Sequence, residues 1–234
     1  MARLAANGVE LVYEEIGAGA PLLFVSATGC DRTVWGAQVA HFMGRYRCIS
    51  FDNRDVGEST IVSTGYGPRD MAADAAALMA ALELPPTHVV GHSLGGAIAQ
   101  ELALAVPARV RSLTLVGTWA RNDEYTRALF RTWKQARTHF GRREFVESML
   151  LTALGHTFLN AVGTETLVDM FLATSHPQPP EAYCRHVDAD LAHETAGRLG
   201  QIAAPTLVVA GEDDMIFPRH HHRMLAEGIP GASL

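Results

Sequence analysis

His88-Val89-Val90-Gly91-His92-Ser93-Leu94-Gly95-Gly96-Ala97 is the stretch whose reading decides the fold. An apolar run leads into Gly91, and a helix-forming segment from Leu94 to Ala105 follows and is closed by Pro107. A G-x-S-x-G pattern between a strand and a helix puts its serine on a tight, strained turn. Side chains two residues before or after that serine would collide, so Gly91 and Gly95 answer a steric need. Gly96 and Ala97 allow close packing behind the turn. The turn sets Ser93 at the positive end of the new helix and aims the Leu94 N–H at any carbonyl that Ser93 attacks. Ser93 is therefore the candidate nucleophile and Leu94 a candidate oxyanion donor. His92 is expected to point away from the hydroxyl and to pack.

Working outward, Leu22–Val25, Cys48–Phe51, His88–Val90, Val110–Val116 and Thr206–Ala210 are short uninterrupted apolar runs. Such runs are what a parallel sheet covered on both faces produces. Helical stretches at Thr33–Met43, Arg69–Leu82 and Leu94–Ala105 lie between them. Strand alternating with helix means a doubly wound α/β sheet. Asn7-Gly8, between Arg3-Leu4-Ala5 and the alternating Val9–Tyr13, predicts an opening hairpin with a type I′ turn. After Thr118 the alternation stops until about Leu199, and the sequence predicts an inserted helical lid over residues 119–198, with the α/β core formed by 1–118 and 199–234. Asp123–Phe140 places Leu129, Phe130, Trp133, Ala136 and Phe140 on one helical face. Arg127, Arg131, Lys134 and Arg137 fall elsewhere around it and are expected to be a solvated face.

At 234 residues and 48% hydrophobic, the chain is long enough to hold a core without disulfide or metal staples. Cys30, Cys48 and Cys184 are odd in number and show no C-x-x-C pair, so they are expected to be reduced packing residues in a cytoplasmic protein. Nineteen Lys and Arg against 25 Asp and Glu give a net charge of −6, which argues against nucleic acid as a partner. The first ten residues turn polar too soon for a signal peptide. Met71–Leu84 is interrupted by Asp74 and Glu83, and no membrane insertion is expected. Gly17-Ala-Gly-Ala lacks the third glycine and helix of a dinucleotide loop, and there is no Walker lysine, so no cofactor is expected.

On these residues the chain resembles the α/β-hydrolase superfamily, from the first hairpin to the end. Leu22–Trp35 is similar to the loop that supplies the second oxyanion donor in that family, and the resemblance puts this donor at the Thr28 N–H. The usual His-Gly pair is replaced by Ser26-Ala27, as in some enol-lactonase-like members. Phe51-Asp-Asn-Arg-Asp-Val-Gly-Glu-Ser-Thr60 resembles the family's D-x-R-G-x-G-x-S loop, in a form like that of aclacinomycin methylesterase-type enzymes, and Asp52, Arg54 and Asp55 are expected to tie that loop together. Gly117-Thr118-Trp119 resembles the entry into the lid, which makes Trp119 a candidate pocket residue as well as a core residue. Ile202–Pro218 is similar to the segment whose last acid orients the catalytic histidine, and that register selects Asp214 over Glu212 and Asp213.

The resemblance implies the order Ser, Asp, His, yet no histidine follows His222. Ile229–Leu234 resembles the start of the family's last strand, so the resemblance implies a further strand, the histidine and a helix beyond Leu234, about 30 residues in all. His220, His221 and His222 are expected to face solvent and to serve neither as the base nor as a metal site, since adjacent helical side chains point about 100° apart.

The expectation that results is a serine hydrolase cleaving an ester, lactone or similar small acyl substrate, with Ser93 as nucleophile, Asp214 as orienting acid, Thr28 and Leu94 as oxyanion donors and a histidine outside these residues. Serine at the elbow argues against the dehalogenase and epoxide hydrolase branches. A ligand-binding relative without catalysis and an interaction module using the basic lid helix are the rival readings.

Overall fold

Five parallel strands carry the molecule, and their shared C-terminal edge is where the loops of interest meet. A computed structural model describes residues 1–234. The strands are β1 (Ala2–Ala6), β2 (Val9–Ile16), β3 (Ala20–Val25), β4 (Tyr46–Phe51), β5 (Thr87–His92), β6 (Val110–Val116) and β7 (Thr206–Val209). They form one sheet in the order β1-β2-β4-β3-β5-β6-β7. β1 and β2 pair antiparallel, as do β2 and β4, and every later pairing is parallel. The hairpin turns at Asn7 and Gly8, with φ of 49° and 79°, the left-handed values that a type I′ turn demands.

Helices α1 (Gly36–Phe42), α2 (Pro68–Ala81) and α3 (Leu94–Ala105) cross between strands. Residues 32–35, expected to open the first of these, form a separate 3₁₀ turn capped by the Asp31 side chain on the Thr33 N–H. α2 starts on Pro68, and the Asp70 carboxylate accepts the Gly67 N–H at 2.8 Å. Between β6 and β7 lie α4 (Glu124–His139), α5 (Arg142–Ala153), α6 (His156–Val162), α7 (Thr164–Thr174) and α8 (Pro180–Ala192). No regular strand forms in this segment. α9 (Arg219–Gly228) follows β7.

One core runs from Leu23, Phe51 and Leu115 on the sheet, through Leu78 and Ile98, to Phe130, Trp133, Val168 and Val187 of the helical segment. A smaller cluster of Leu22, Phe24, Trp35, Val39 and Cys48 covers the other face. On α4, Phe130 and Trp133 are buried as the spacing predicts, but Phe140 is 50% exposed because it caps the helix end in extended conformation and leaves that face. No helix is long and apolar enough to cross a membrane. Beside the β7 edge, Ser233 bridges in parallel to Leu207, with its N–H on the Thr206 carbonyl at 3.0 Å and its carbonyl taking the Val208 N–H at 2.7 Å.

Candidate active site

Ser93 adopts φ 52° and ψ −119°, a region that an L-residue occupies only under constraint. The constraint is visible on both sides. The Ser93 N–H donates to the Val116 carbonyl at 3.0 Å, and the Thr118 hydroxyl donates to the Ser93 carbonyl at 2.8 Å, so neighbouring strand β6 holds the turn. A Cβ on Gly91 would lie 2.2 Å from the Gly95 carbonyl oxygen, and one on Gly95 would lie 2.0 Å from that of Val25. Only glycine fits at either place. A Cβ on Gly96 would strike the Thr118 side chain at 2.6 Å.

The Ser93 side chain lies in a cavity of about 700 Å³ between the strand ends and the helical segment. Ala27, Thr28 and Cys30 come from the loop after β3, Val209–Asp214 from the loop after β7, and Trp133, Leu150, Leu154 and Phe171 from the helices above. The wall is mostly apolar. Cys30 is kept a thiol, its pKa pushed up to about 12 by burial and by the neighbouring Asp31. Neither the Thr28 nor the Leu94 N–H makes a backbone hydrogen bond, which leaves both donors free at this end of the sheet.

The Thr28 loop is held from α8. The Thr28 hydroxyl lies 2.8 and 3.0 Å from the two Asp190 carboxyl oxygens, and His186 accepts the Gly29 N–H on Nδ1 at 3.1 Å while its Nε2 contacts the Arg54 carbonyl at 2.8 Å. His186 is thereby fixed as the Nε2–H tautomer. Burial raises the Asp190 pKa well above its ordinary value, opposed by the Thr28 hydrogen bond, and this burial favours the neutral carboxyl in this place. Neither Asp190 nor His186 carried a sequence signal, since both lie in an unremarkable helix more than 130 residues from their partners.

Asp214 sits on the opposite rim. Its Oδ1 accepts the Ile216 and Phe217 N–H groups at 2.9 and 2.8 Å, which fixes the carboxylate and leaves Oδ2 without a hydrogen-bond partner. A Cβ built on Gly117 would meet Asp214 Oδ2 at 3.4 Å and His92 Nε2 at 3.7 Å, so both groups converge on that glycine. His92, expected to point away from the hydroxyl and pack, makes no hydrogen bond to Ser93 and meets the Trp35 ring edge-on at 6.4 Å, while its exposed part lines the cavity.

Two further expectations are corrected. Trp119 is fully buried and stacks on Phe217 at 4.5 Å and 11°; Phe217, not Trp119, reaches the cavity wall. His221 and His222 are buried rather than solvent-facing, since α9 turns this side onto the core through Phe217 and Leu225, and only His220 stays exposed. His222 Nε2 lies 3.6 Å from Asp214 Oδ2 without a hydrogen bond. The Asp-Asn-Arg-Asp loop is a scaffold, as expected: Asp52 pairs with Arg32 at 2.6 Å, Arg54 with Asp74 at 2.6 Å, and Asp55 with Arg185 at 2.7 Å. None of the three lines the cavity.

Comparison with known proteins agrees with this geometry. A family described as alpha/beta hydrolase fold matches residues 21–234. The chain belongs to the α/β-hydrolase family. A RutD protein of Azorhizobium caulinodans, to which its name ascribes carbamate hydrolysis, is 34% identical over 231 residues, spanning 96% of this chain and 85% of that protein. Among solved structures, a thermophilic esterase from Thermogutta terrifontis superposes with a TM-score of 0.85 at 27% identity, covering all of this chain and 88% of that one. The enol-lactonase of Burkholderia xenovorans LB400 superposes at 0.89 with 23% identity, covering 99% and 89%, a likeness of fold. As a member of this family the chain is similar to proteins named as hydrolases.

Proposed function

We propose that this α/β hydrolase cleaves a small acyl substrate, an ester, lactone or carbamate, through an acyl-enzyme on Ser93. The observation that carries the reading is a strained serine with no hydrogen-bond partner on its hydroxyl, facing an apolar cavity beside two unbonded backbone N–H groups. The names of its relatives, a carbamate hydrolase and an esterase among them, share an acyl carbon with a leaving oxygen or nitrogen. Ser93 Oγ attacks that carbon and passes its proton to a histidine. The oxyanion is taken up by the Thr28 and Leu94 N–H groups, each worth about 3 kcal/mol in the transition state. The intermediate expels the alcohol or amine, which leaves with that proton, and water then releases the acid by the same path. Residues 119–198 act as the lid that closes the cavity.

Asp214 orients the histidine, and neither His92 nor His222 hydrogen-bonds to Ser93 or Asp214. His92 stands on the strand end next to Ser93 itself, and His222 lies behind Asp214, off the cavity wall. A base has to reach within about 3 Å of the hydroxyl, directly or through one water. The test is p-nitrophenyl butyrate hydrolysis by residues 1–234 with increasing imidazole. The expected result is little turnover alone and an imidazole-dependent rate that Ser93→Ala removes. Steady turnover without imidazole, lost in both Ser93→Ala and either His92→Ala or His222→Ala, would overturn the external base. No Ser93-dependent rate under any condition would favour a ligand-binding protein without catalysis.

A further inference from the structure

Asp123 and two histidines of α9 form a cluster away from the cavity. Asp123 caps α4, its Oδ1 accepting the Thr126 N–H at 2.9 Å. Its Oδ2 contacts His220 Nε2 at 2.8 Å and lies 3.3 Å from His221 Nε2. The three donor atoms all fall within 4.8 Å of one another. Adjacent helical side chains leave the axis about 100° apart, but rotation about the side-chain bonds brings these two rings to a centroid distance of 4.1 Å and a tilt of 37°, both turned to the same carboxylate. The Cβ directions alone point the two rings apart; the side-chain torsions bring them together.

His221 is the decisive residue. It is 1% exposed, its Nδ1 makes no hydrogen bond, and its Nε2 has only the 3.3 Å approach to Asp123, which falls short of hydrogen-bond geometry. A buried imidazole left without partners is costly, and a native fold retains one where something else satisfies it. Two imidazole nitrogens and a carboxylate oxygen are a borderline donor set, suited to Zn²⁺ and its neighbours and poorly suited to Ca²⁺ or Mg²⁺. Tetrahedral bonds of about 2.0–2.2 Å put donors roughly 3.3–3.6 Å apart; the His221 separation of 3.3 Å meets that range and the His220 separation of 2.8 Å would open by about half an ångström around an ion. His220 and Asp123 are 56% and 38% exposed at the side chain, so water reaches the fourth position. Arg219, the nearest cation in sequence, is turned toward Glu212 at 3.9 Å.

We infer that Asp123, His220 and His221 bind a single divalent transition-metal ion of the Zn²⁺ class, clamping the start of α4 to the start of α9. The clamp lies beside the acid loop. Tyr125, two residues after Asp123, donates its hydroxyl to the Met215 carbonyl at 2.5 Å, and Phe217 packs against the His221 ring at 5.9 Å. A bound ion would therefore stiffen the loop that carries Asp214 without touching the cavity.

The experiment is titration of the metal-stripped 234-residue chain with Zn²⁺ against a competing chelator dye, and with Co²⁺ followed by its visible absorption. One equivalent is expected to bind, with the intense absorption of four-coordinate Co²⁺ and a rise in the melting temperature. Asp123→Asn keeps the helix cap through its side-chain oxygen, and His220→Asn changes an exposed position, so both should fold. Each is expected to weaken binding at least tenfold and to abolish the thermal shift. Equal affinity in the parent chain and both variants, or no stoichiometric binding at all, would overturn the site. Ser93-dependent chemistry is not part of the readout.

Discussion

Thr28 and Asp190 meet across 162 residues of chain, the hydroxyl 2.8 and 3.0 Å from the two carboxyl oxygens, in a place where neither is exposed to solvent. This contact fastens the loop that presents the Thr28 N–H to the last helix of the inserted segment. Asp190→Asn preserves the shape and a side chain able to hydrogen-bond Thr28. Asp190→Ala leaves the Thr28 hydroxyl without its partner and costs about 1–3 kcal/mol of stability. If Thr28 and Leu94 are the oxyanion donors as proposed, phosphonylation of Ser93 is expected to slow about tenfold in the alanine variant, a factor of ten corresponding to about 1.4 kcal/mol of lost donor stabilisation. The asparagine variant should stay within a few-fold. Equal rates in both variants would mean that the contact does not position the donor.

The strain at Ser93 is separable from its chemistry. Its φ of 52° and ψ of −119° lie where glycine is at ease, so Ser93→Gly should raise stability by about 1 kcal/mol after the added entropy of the unfolded glycine is discounted. Ser93→Ala keeps the strain and should not. Urea unfolding of the two variants reads the difference directly.

The flanking glycines behave in the opposite way. With a Cβ only 2.0 Å from the Val25 oxygen, Gly95→Ala forces the turn away from strand β3, and a loss of about 3 kcal/mol or more is expected in the urea midpoint. Gly8→Ala, at a turn with open space around it, pays only for its φ of 79° and should lose about 1 kcal/mol.

Acid sensitivity follows from buried histidines. Burial lowers the pKa of His193 and of His221 to about 4, and that of His222 and His186 in the same direction. A base whose folded pKa is depressed binds fewer protons folded than unfolded. Its stabilising contribution is whole above an unfolded pKa of about 6.5 and is lost as pH falls toward 4, on the order of 3 kcal/mol for a fully buried group. Asp190 has the opposite sign: with its folded pKa raised, its contribution is whole below about pH 3.9 and falls as pH rises. The histidines dominate between pH 6.5 and 4, where the urea midpoint should drop steeply. His193→Gln should flatten that slope, and an unchanged slope would locate the titration elsewhere.

The sequence made the scaffold legible because each local signal agreed with the global one. Gly91 and Gly95 bracket Ser93 for a steric reason that the structure reproduces, and the apolar runs before and after them are strands β3 to β7. Helix boundaries at Pro68 and Asp123 followed from backbone chemistry. What could not be read was which way a side chain turns once packed. Trp119 rotates inward onto Phe217, His92 opens to the cavity, and His221 swings to Asp123, outcomes of tertiary packing that no spacing encodes. The same holds for Asp190, whose partner is far along the chain.

The most direct test of the account is the intact mass and peptide map of the chain after prolonged exposure to a fluorophosphonate probe. A single adduct is expected, on Ser93, formed slowly and accelerated by imidazole, and none in Ser93→Ala. An adduct on another residue, or an unmodified Ser93 under conditions where the chain is folded, would contradict it.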